Sequence, residues 1–165
     1  MMHSSMSKVA SDKAEAEKRA LAACMTECSK LLETMRVAKP ADAERSKARL
    51  DDIVKRAAKL PVDFKRKLLA DARNFQCLAN TRAADAALKL ALDKARHDDP
   101  AERNRLVGEA RQYCNKAIAL GADSTFSAVA NRKIEIIMMT GGVEHKGPTI
   151  AKPLDTAPKP VSAKI

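Results

Sequence analysis

Apolar residues recur along most of the chain at intervals of three and four positions, which is the spacing of one face of an α-helix. The first such stretch predicts a helix from Ser11 or Asp12 to about Val37. Its apolar face consists of Ala14, Leu21, Cys24, Met25, Cys28, Leu31, Leu32 and Met35. No segment alternates convincingly with the period of two that marks a half-buried strand, so the pattern does not predict a β-sheet.

Two more helices are predicted on either side of Pro61, because proline cannot continue an α-helix. The second helix spans about 43–60 and the third about 64–97, with Asp63 as the N-cap of the third. The apolar face of the third helix consists of Leu68, Ala72, Phe75, Ala79, Ala83, Ala86 and Leu90, widened by Leu69, Leu78, Ala87 and Leu88. A face this wide predicts contact with more than one neighbouring helix.

The sequence "HDDPAERNR" contains the clearest helix start in the chain. Asp99 is placed to be an N-cap, Pro100 fits the first helical position, and Glu102 follows three residues after the cap. This is the arrangement of a capping box, in which the cap accepts a bond from a free amide and the glutamate reaches back to the cap amide. The segment therefore predicts the start of a fourth helix.

The end of the fourth helix and the start of the fifth are marked by Gly121 and Asp123. The fifth helix is predicted to end at the two glycines 141–142. A turn at Gly121 would fold the last two helices back on each other. We therefore expect one buried cluster made of Leu106, Tyr113, Ala117, Leu120, Phe126 and Ile134.

Three regions follow from these patterns. Residues 1–10 are expected to be a flexible leader, and residues 11–142 a helical domain. Residues 143–165 contain four prolines and four lysines with almost no apolar periodicity. Such a segment has too little apolar surface to form a core, so it is expected to be an extended tail, disordered or lying along a partner.

Two decapeptides, "KRAAKLPVDF" at 55–64 and "NKAIALGADS" at 115–124, share a pattern at a spacing of 60 residues. The shared positions are Ala57 and Ala117, Leu60 and Leu120, and Asp63 and Asp123. "AER" also occurs near the start of each matched helix, at 43–45 and 101–103. The repeat predicts two helical hairpins after an N-terminal helix, and short connections make neighbouring helices antiparallel.

The spacing of Ala110, Tyr113 and Ala117 resembles that of tetratricopeptide-type hairpins over about fifteen residues. The following helix departs from that family, because Asn131 and Arg132 stand about where it places apolar or small residues. The spacing of 60 also differs from the family's period of about 34 residues. The predicted fold is therefore all-α, with about five helices in antiparallel hairpins: a helical bundle, or a short helical-repeat array, with an extended C-terminal tail.

Composition adds a strong charge to this picture. The net charge is +10 and the pI is about 9.6, which suits an anionic partner such as nucleic acid, an acidic protein or an anionic membrane surface. Acidic residues are interleaved through most of the chain, so the alternative is a helical protein with surplus lysine on its surface. The low aromatic content, 2%, means that alanine and leucine have to form the core.

The densest basic stretch, "KRAAKLPVDFKRKLLADAR", has seven basic and two acidic residues and carries a net charge of +5. The basic residues are Lys55, Arg56, Lys59, Lys65, Arg66, Lys67 and Arg73, and we call them the basic patch. They surround Pro61, so a hairpin there would gather them at one end. The stretch lacks the interleaved aromatic residues expected for single-stranded nucleic acid, so any nucleic-acid binding would involve phosphate contacts without sequence specificity.

No sequence feature supports catalysis. A phosphate-binding glycine loop, a nucleophile elbow and a metalloprotease motif are all absent from the sequence, so no catalytic residue, cofactor or metal site is predicted. Cys24 and Cys28 could share one side of a helix, and Cys77 and Cys114 could join them only if their helices converge. Free cysteines are common in helical cores, so we expect all four to be packing residues.

The sequence favours a protein of a reducing interior compartment such as the cytoplasm. The cysteines lie on predicted helices rather than in a small loop-rich disulfide framework, and no apolar run reaches the length of a membrane span. The first hypothesis for function is a non-enzymatic helical interaction module, either an adaptor or a small subunit of an assembly with other proteins. The second is a basic protein that binds nucleic acid through phosphates.

Overall fold

The computed structural model of the protein describes residues 2–140, with side chains from residue 7 onward. Within that range the chain forms five α-helices and no strand, which confirms the all-α prediction. The helices are α1 (Met2–Met35), α2 (Pro40–Arg56), α3 (Val62–Arg96), α4 (Pro100–Ala119) and α5 (Ser124–Thr140). Their packing is that of a helical bundle. The predicted tail at 143–165 lies outside the described residues.

The helix starts differ from the predicted ones at three places. Residues 2–10, which were expected to form a leader, continue α1, because no proline or glycine interrupts them. α2 begins at Pro40, three residues before the predicted start, since proline is well tolerated in a first turn. Asp63 lies inside the first turn of α3 and pairs with Arg66, so the prediction that it caps this helix is wrong.

The chain turns differently after α2 and after α4. α2 ends at Arg56 rather than Leu60, and residues 57–61 form the turn to α3. α4 ends as predicted before Gly121, whose φ of 116° is a conformation that favours glycine. The N–H of Gly121 donates to the Ile118 carbonyl at 3.0 Å, and the N–H of Ala122 donates to the Ala117 carbonyl at 3.0 Å. These two bonds are those of a Schellman motif.

The predicted cap at Asp99 is confirmed, and Asp123, which was predicted to mark the start of the fifth helix, also caps it. Asp99 Oδ1 accepts from the N–H of Glu102 at 3.3 Å, and Asp123 Oδ1 accepts from the N–H of Phe126 at 3.1 Å. The carboxylate of Glu102 pairs with Arg105, which lowers the pKa of Glu102. The predicted return of Glu102 to the cap amide is therefore replaced by an ion pair within the helix.

The bundle has two cores, and α3 belongs to both. The first half of α3 packs against α1 and α2, and this first core contains Cys28, Met35, Ala43, Leu50, Ile53, Leu68, Ala72 and Ala79. The second half packs against α4 and α5, and the second core includes Leu88, Ala91, Leu106, Val107, Ala110, Cys114, Ile134 and Ile137. The wide apolar face of α3 thus serves two sets of neighbours, as predicted.

The predicted cluster around Gly121 is partly correct. Leu106, Ala117 and Ile134 are buried, while Tyr113 and Phe126 are partly buried at the edge of the second core. Leu120 is also only partly buried, because it is the C-cap residue of α4 and the chain turns away there. α4 and α5 each contact α3 more than they contact each other, so the predicted mutual packing of the last two helices is secondary to their packing on α3.

The 60-residue repeat of the sequence is also found among the helix starts and the buried residues of the structure. Pro40 and Pro100 begin α2 and α4, and both helices follow a longer one. Buried residues also match at this spacing, in the pairs Cys28 and Leu88, Met35 and Ala95, Ala43 and Arg103, and Leu50 and Ala110. The repeating unit is therefore a long helix followed by a shorter one, α1–α2 and then α3–α4, with α5 as an additional helix.

Candidate functional site

The basic patch surrounds the turn between α2 and α3, as predicted, but most of its charges have nearby partners. Arg56 pairs with Asp52 at 3.2 Å, Arg66 with Asp63 at 3.1 Å, and Lys67 with Asp71 at 3.0 Å. The Nζ of Lys59 lies 3.0 Å from Glu17 of α1. All four basic side chains are largely exposed, so these pairs stabilise the fold little, but they reduce the charge offered to a ligand.

Arg73 has a structural role that the sequence did not indicate. Its Nε donates to the carbonyl of Leu120 at 3.1 Å, and its Nη2 donates to the carbonyl of Ala119 at 3.2 Å. These carbonyls are at the C-terminal end of α4, where the helix dipole favours a cation. Arg73 thus ties α3 to the end of α4 through two hydrogen bonds.

Lys55 and Lys65 are the lysines of the patch that form no ion pair among the described residues, and Arg73 contacts only backbone carbonyls. Lys55 is exposed and Lys65 is partly buried. Two lysines with free ammonium groups can contact phosphate oxygens as point charges, without the bidentate geometry of arginine. The patch can therefore attract an anion, but the structure gives it no enclosed shape.

A concave surface lies along α3, between the turn that joins α1 to α2 on one side and α4 on the other. We call it the central groove. It consists of two adjoining cavities of about 360 and 500 Å³ that share Pro40, Ala41 and Tyr113. Its floor is formed by Ala79, Asn80, Ala83, Ala86 and Leu90, and its walls include Val37, Leu106, Tyr113 and Leu120.

The groove exists because the α1–α2 hairpin stops partway along α3. Arg82 Nη2 donates to the carbonyl of Ala38 at 3.2 Å and marks that point. Before it, the apolar face of α3 is covered by α1 and α2; beyond it, the same face continues through Ala86 and Leu90, which are exposed. α2 and α4 do not pack against each other, so α3 remains open between them.

Asn80 is the unusual polar residue of the groove. It is only 3% exposed, and its Nδ2 donates to the carbonyl of Gln76 at 2.9 Å. Its Oδ1 is buried without a hydrogen-bond partner. A buried acceptor with no partner costs roughly 1–3 kcal/mol, so Asn80 is a destabilising feature of the fold at this position.

The sequence predicted that four residues of the groove share one face of α3, but it predicted neither the groove nor their exposure. Ala79, Ala83, Ala86 and Leu90 were all expected to be part of one buried stripe. Leu90 is instead 54% exposed. The periodic pattern shows that these residues share a face, but the length of the α1–α2 hairpin decides how much of the face is covered.

The four cysteines are free thiols, and they do not converge. Burial raises the pKa of Cys28 and of Cys114 to about 11, with the neighbouring Cys24 as a second cause at Cys28. Burial also raises the pKa of Cys77. A raised pKa keeps a thiol protonated and unreactive. In the part of the chain that the structure describes, no group of three or more histidine, cysteine, aspartate or glutamate residues could hold a metal ion.

Comparison with protein-family models, with curated proteins and with solved structures found no match to this chain. Among residues 2–140, no helix is both long enough and apolar enough to cross a membrane.

Proposed function

We propose that this protein is a non-enzymatic helical interaction module that binds a segment of another protein in the central groove, as an adaptor or a small subunit of an assembly. The observation that carries the proposal is the groove itself. It has two walls and a floor that is apolar except for Asn80. A peptide segment supplies both apolar side chains and N–H donors.

The residues of the groove suit a protein ligand. Alanines at 79, 83 and 86 let another backbone approach closely, and Leu90 offers a larger apolar contact at one end. Tyr113 lines both cavities, and tyrosine is enriched where protein interfaces hold their binding energy. A helical or extended segment lying along α3 would contact all of these residues at once.

The test is capture of a partner from an extract of the protein's own cells by the immobilised full-length chain. Leu90→Glu places a charge at the end of the groove, and because Leu90 is 54% exposed the variant should still fold. We expect it to retain less than about a tenth of the partner, as for a loss on the order of 2 kcal/mol at an interface anchor. Capture by the parent chain should persist near 1 M salt, where charge interactions are screened beyond about 3 Å.

Val62→Glu is the matched control. Val62 is 65% exposed on the same helix, outside the central groove, and receives the same change. Its capture should equal that of the parent chain. Equal losses in both variants would show that added negative charge, rather than the groove, explains the result. No loss in either variant would contradict the proposal.

The second candidate function is nucleic-acid binding by the basic patch through phosphates. It is supported by the net charge of +10 and by Lys55 and Lys65, the two lysines of the basic patch that form no ion pair within residues 7–140. The triple change of Lys65, Arg66 and Lys67 to Ser should then weaken binding to all duplex sequences alike. The slope of log affinity against log salt should fall by about one unit per lost contact. An unchanged slope would remove this function.

A reducing compartment, such as the cytoplasm, belongs to the same proposal. Its support is the four free thiols, two of them buried at 0% exposure within the two cores. Mass spectrometry of the protein alkylated at the moment of cell lysis tests it. Four alkylated cysteines are expected, and a disulfide in the freshly isolated protein would contradict the assignment.

A further inference from the structure

A second open surface runs between α3 and α5, on a different face of α3 from the central groove. We call it the α3–α5 seam. It forms a cavity of about 300 Å³ lined by Asp85, Leu88, Lys89, Leu92, Lys133 and Ile136, together with Ile137. Lys133 Nζ lies 3.7 Å from Asp85 Oδ1, and this ion pair joins the two helices across the seam.

Positions seven apart extend the line of the seam beyond its cavity on both helices. On α3 they are Leu78, Asp85 and Leu92, and on α5 they are Val129 and Ile136; Leu78 and Val129 lie outside the cavity lining. Positions seven apart lie on one stripe of a helix. Leu78, Val129 and Ile136 are 46%, 48% and 43% exposed, so each keeps about half of its surface available to a further helix.

A basic stripe borders the seam on α3. Arg82, Lys89 and Arg96 are also seven apart, each four residues after a member of the seam stripe, and all three are exposed. Arg82 is engaged with the carbonyl of Ala38, whereas Lys89 and Arg96 form no ion pair among the described residues. The carboxylate in the seam, Asp85, is already paired with Lys133.

We infer that the α3–α5 seam binds an amphipathic helix of a partner protein whose apolar face repeats every seven residues and whose flank is acidic. Leu78 and Leu92 on α3, with the paired Asp85 between them, and Val129 and Ile136 on α5 are apolar contacts at heptad spacing for a third helix packed in the manner of a coiled coil. The basic stripe beside them selects the charge of the flank, as charged positions flanking a coiled-coil core select a partner. The inference concerns a different surface from the proposed function and does not depend on it.

The test uses two designed helical peptides of three heptads, titrated into the full-length protein and followed by fluorescence anisotropy. Both have leucines on the heptad face; one has glutamates on its flanks and the other has lysines. We expect the glutamate peptide to bind about tenfold more tightly or better, and the difference to shrink as salt screens the flanking charges. Equal affinities, or no binding of either peptide, would overturn the inference.

Three variants locate the binding. Ile136→Glu, at a position that is 43% exposed, should abolish binding of the glutamate peptide, and Lys89→Glu should reverse the preference between the two peptides. Leu90→Glu, in the central groove, should leave both affinities unchanged, which separates this surface from the first. If the peptide binds equally well to Ile136→Glu, the seam is not the site and the inference is overturned.

Two other occupants are distinguishable. If the protein self-associates in sedimentation velocity and Ile136→Glu makes it monomeric, the seam belongs to a second copy of the chain. If deletion of residues 143–165 raises the peptide affinity about tenfold, the tail of this chain occupies the seam. Either result would overturn the assignment to a partner helix.

Discussion

Single side chains contribute very different amounts to the stability of the bundle, and two residues of the second core and its edge show this. Ile134 is 2% exposed and is enclosed by α3 and α4, whereas Leu120 lies at the edge where α4 ends. Ile134→Ala should lower the free energy of unfolding by about 2–5 kcal/mol, because a buried side chain leaves a cavity. Leu120→Ala should cost about 1 kcal/mol.

Urea titrations of both variants measure the difference directly. The sequence pattern alone assigns a large cost, on the order of 3 kcal/mol, to a charge placed at Leu120. Because Leu120 is only partly buried, a charge there is not fully removed from water, and the cost in stability should be smaller. A loss at Leu120 as large as the loss at Ile134 would contradict the packing of the second core described above.

The buried cysteines predict a pH dependence of stability. Burial raises the pKa of Cys114 from the ordinary 9.0 to about 11, so the folded state favours the neutral thiol. The resulting stability is complete below pH 9 and is lost as the pH rises toward 11, because the unfolded chain releases its proton first. The free energy of unfolding should therefore fall over this interval.

Cys114→Ala isolates the contribution of this thiol to the pH dependence. The free energy of unfolding of this variant should fall less steeply with pH than that of the parent chain, whatever its stability at neutral pH. Urea titrations at several pH values between the two pKa values provide the comparison. Identical slopes would show that Cys114 ionises as readily in the folded state as in the unfolded one.

At the scale of helices, both turns that flank α4 favour glycine. Removing glycine from one turn should therefore destabilise the protein, and adding it to the other should stabilise it. Gly121 has a φ of 116°, and a Cβ added there would meet no atom within 4 Å, so Gly121→Ala carries only a backbone penalty. We expect it to cost about 1–2 kcal/mol. Asp98 has a φ of 61° in the turn before α4, and Asp98→Gly should stabilise the protein by up to about 1 kcal/mol.

Thermal denaturation of the two variants measures both effects. The turn at Asp98 has the same pair of bonds as the turn at Gly121: the N–H of Asp98 donates to the Ala95 carbonyl at 3.3 Å, and the N–H of Asp99 donates to the Lys94 carbonyl at 2.9 Å. A lower melting temperature for Asp98→Gly would mean that the aspartate side chain stabilises the turn by more than its backbone strain costs.

The helices themselves could be predicted from sequence because local signals determine them. The cap at Asp99, the helix start at Asp123 and the stop at Gly121 act within one turn, and all three are confirmed. The candidate sites depend on contacts between distant parts of the chain. The exposure of Leu90 follows from where the α1–α2 hairpin ends, and the role of Arg73 follows from a meeting with residues about 47 positions away. The spacing of apolar residues in the sequence indicates neither the exposure of Leu90 nor the contacts of Arg73.

At the scale of the whole molecule, α3 is the element that joins the two cores, and the tail is predicted to be independent of both. Deletion of residues 143–165 should leave the thermal unfolding midpoint nearly unchanged, because that segment has no periodic apolar face to bury. Differential scanning calorimetry of the shortened chain checks this. A marked drop in the midpoint would place the tail in a core and would move the predicted domain boundary.

We propose that the protein functions by binding another protein in the central groove. Native mass spectrometry of the protein isolated from its own cells is the most direct test. We expect the 17.9 kDa chain to appear in a complex of fixed stoichiometry with another protein, the complex to survive increasing ammonium acetate, and Leu90→Glu to release it. A chain that is found alone, or with nucleic acid that salt removes, would contradict it.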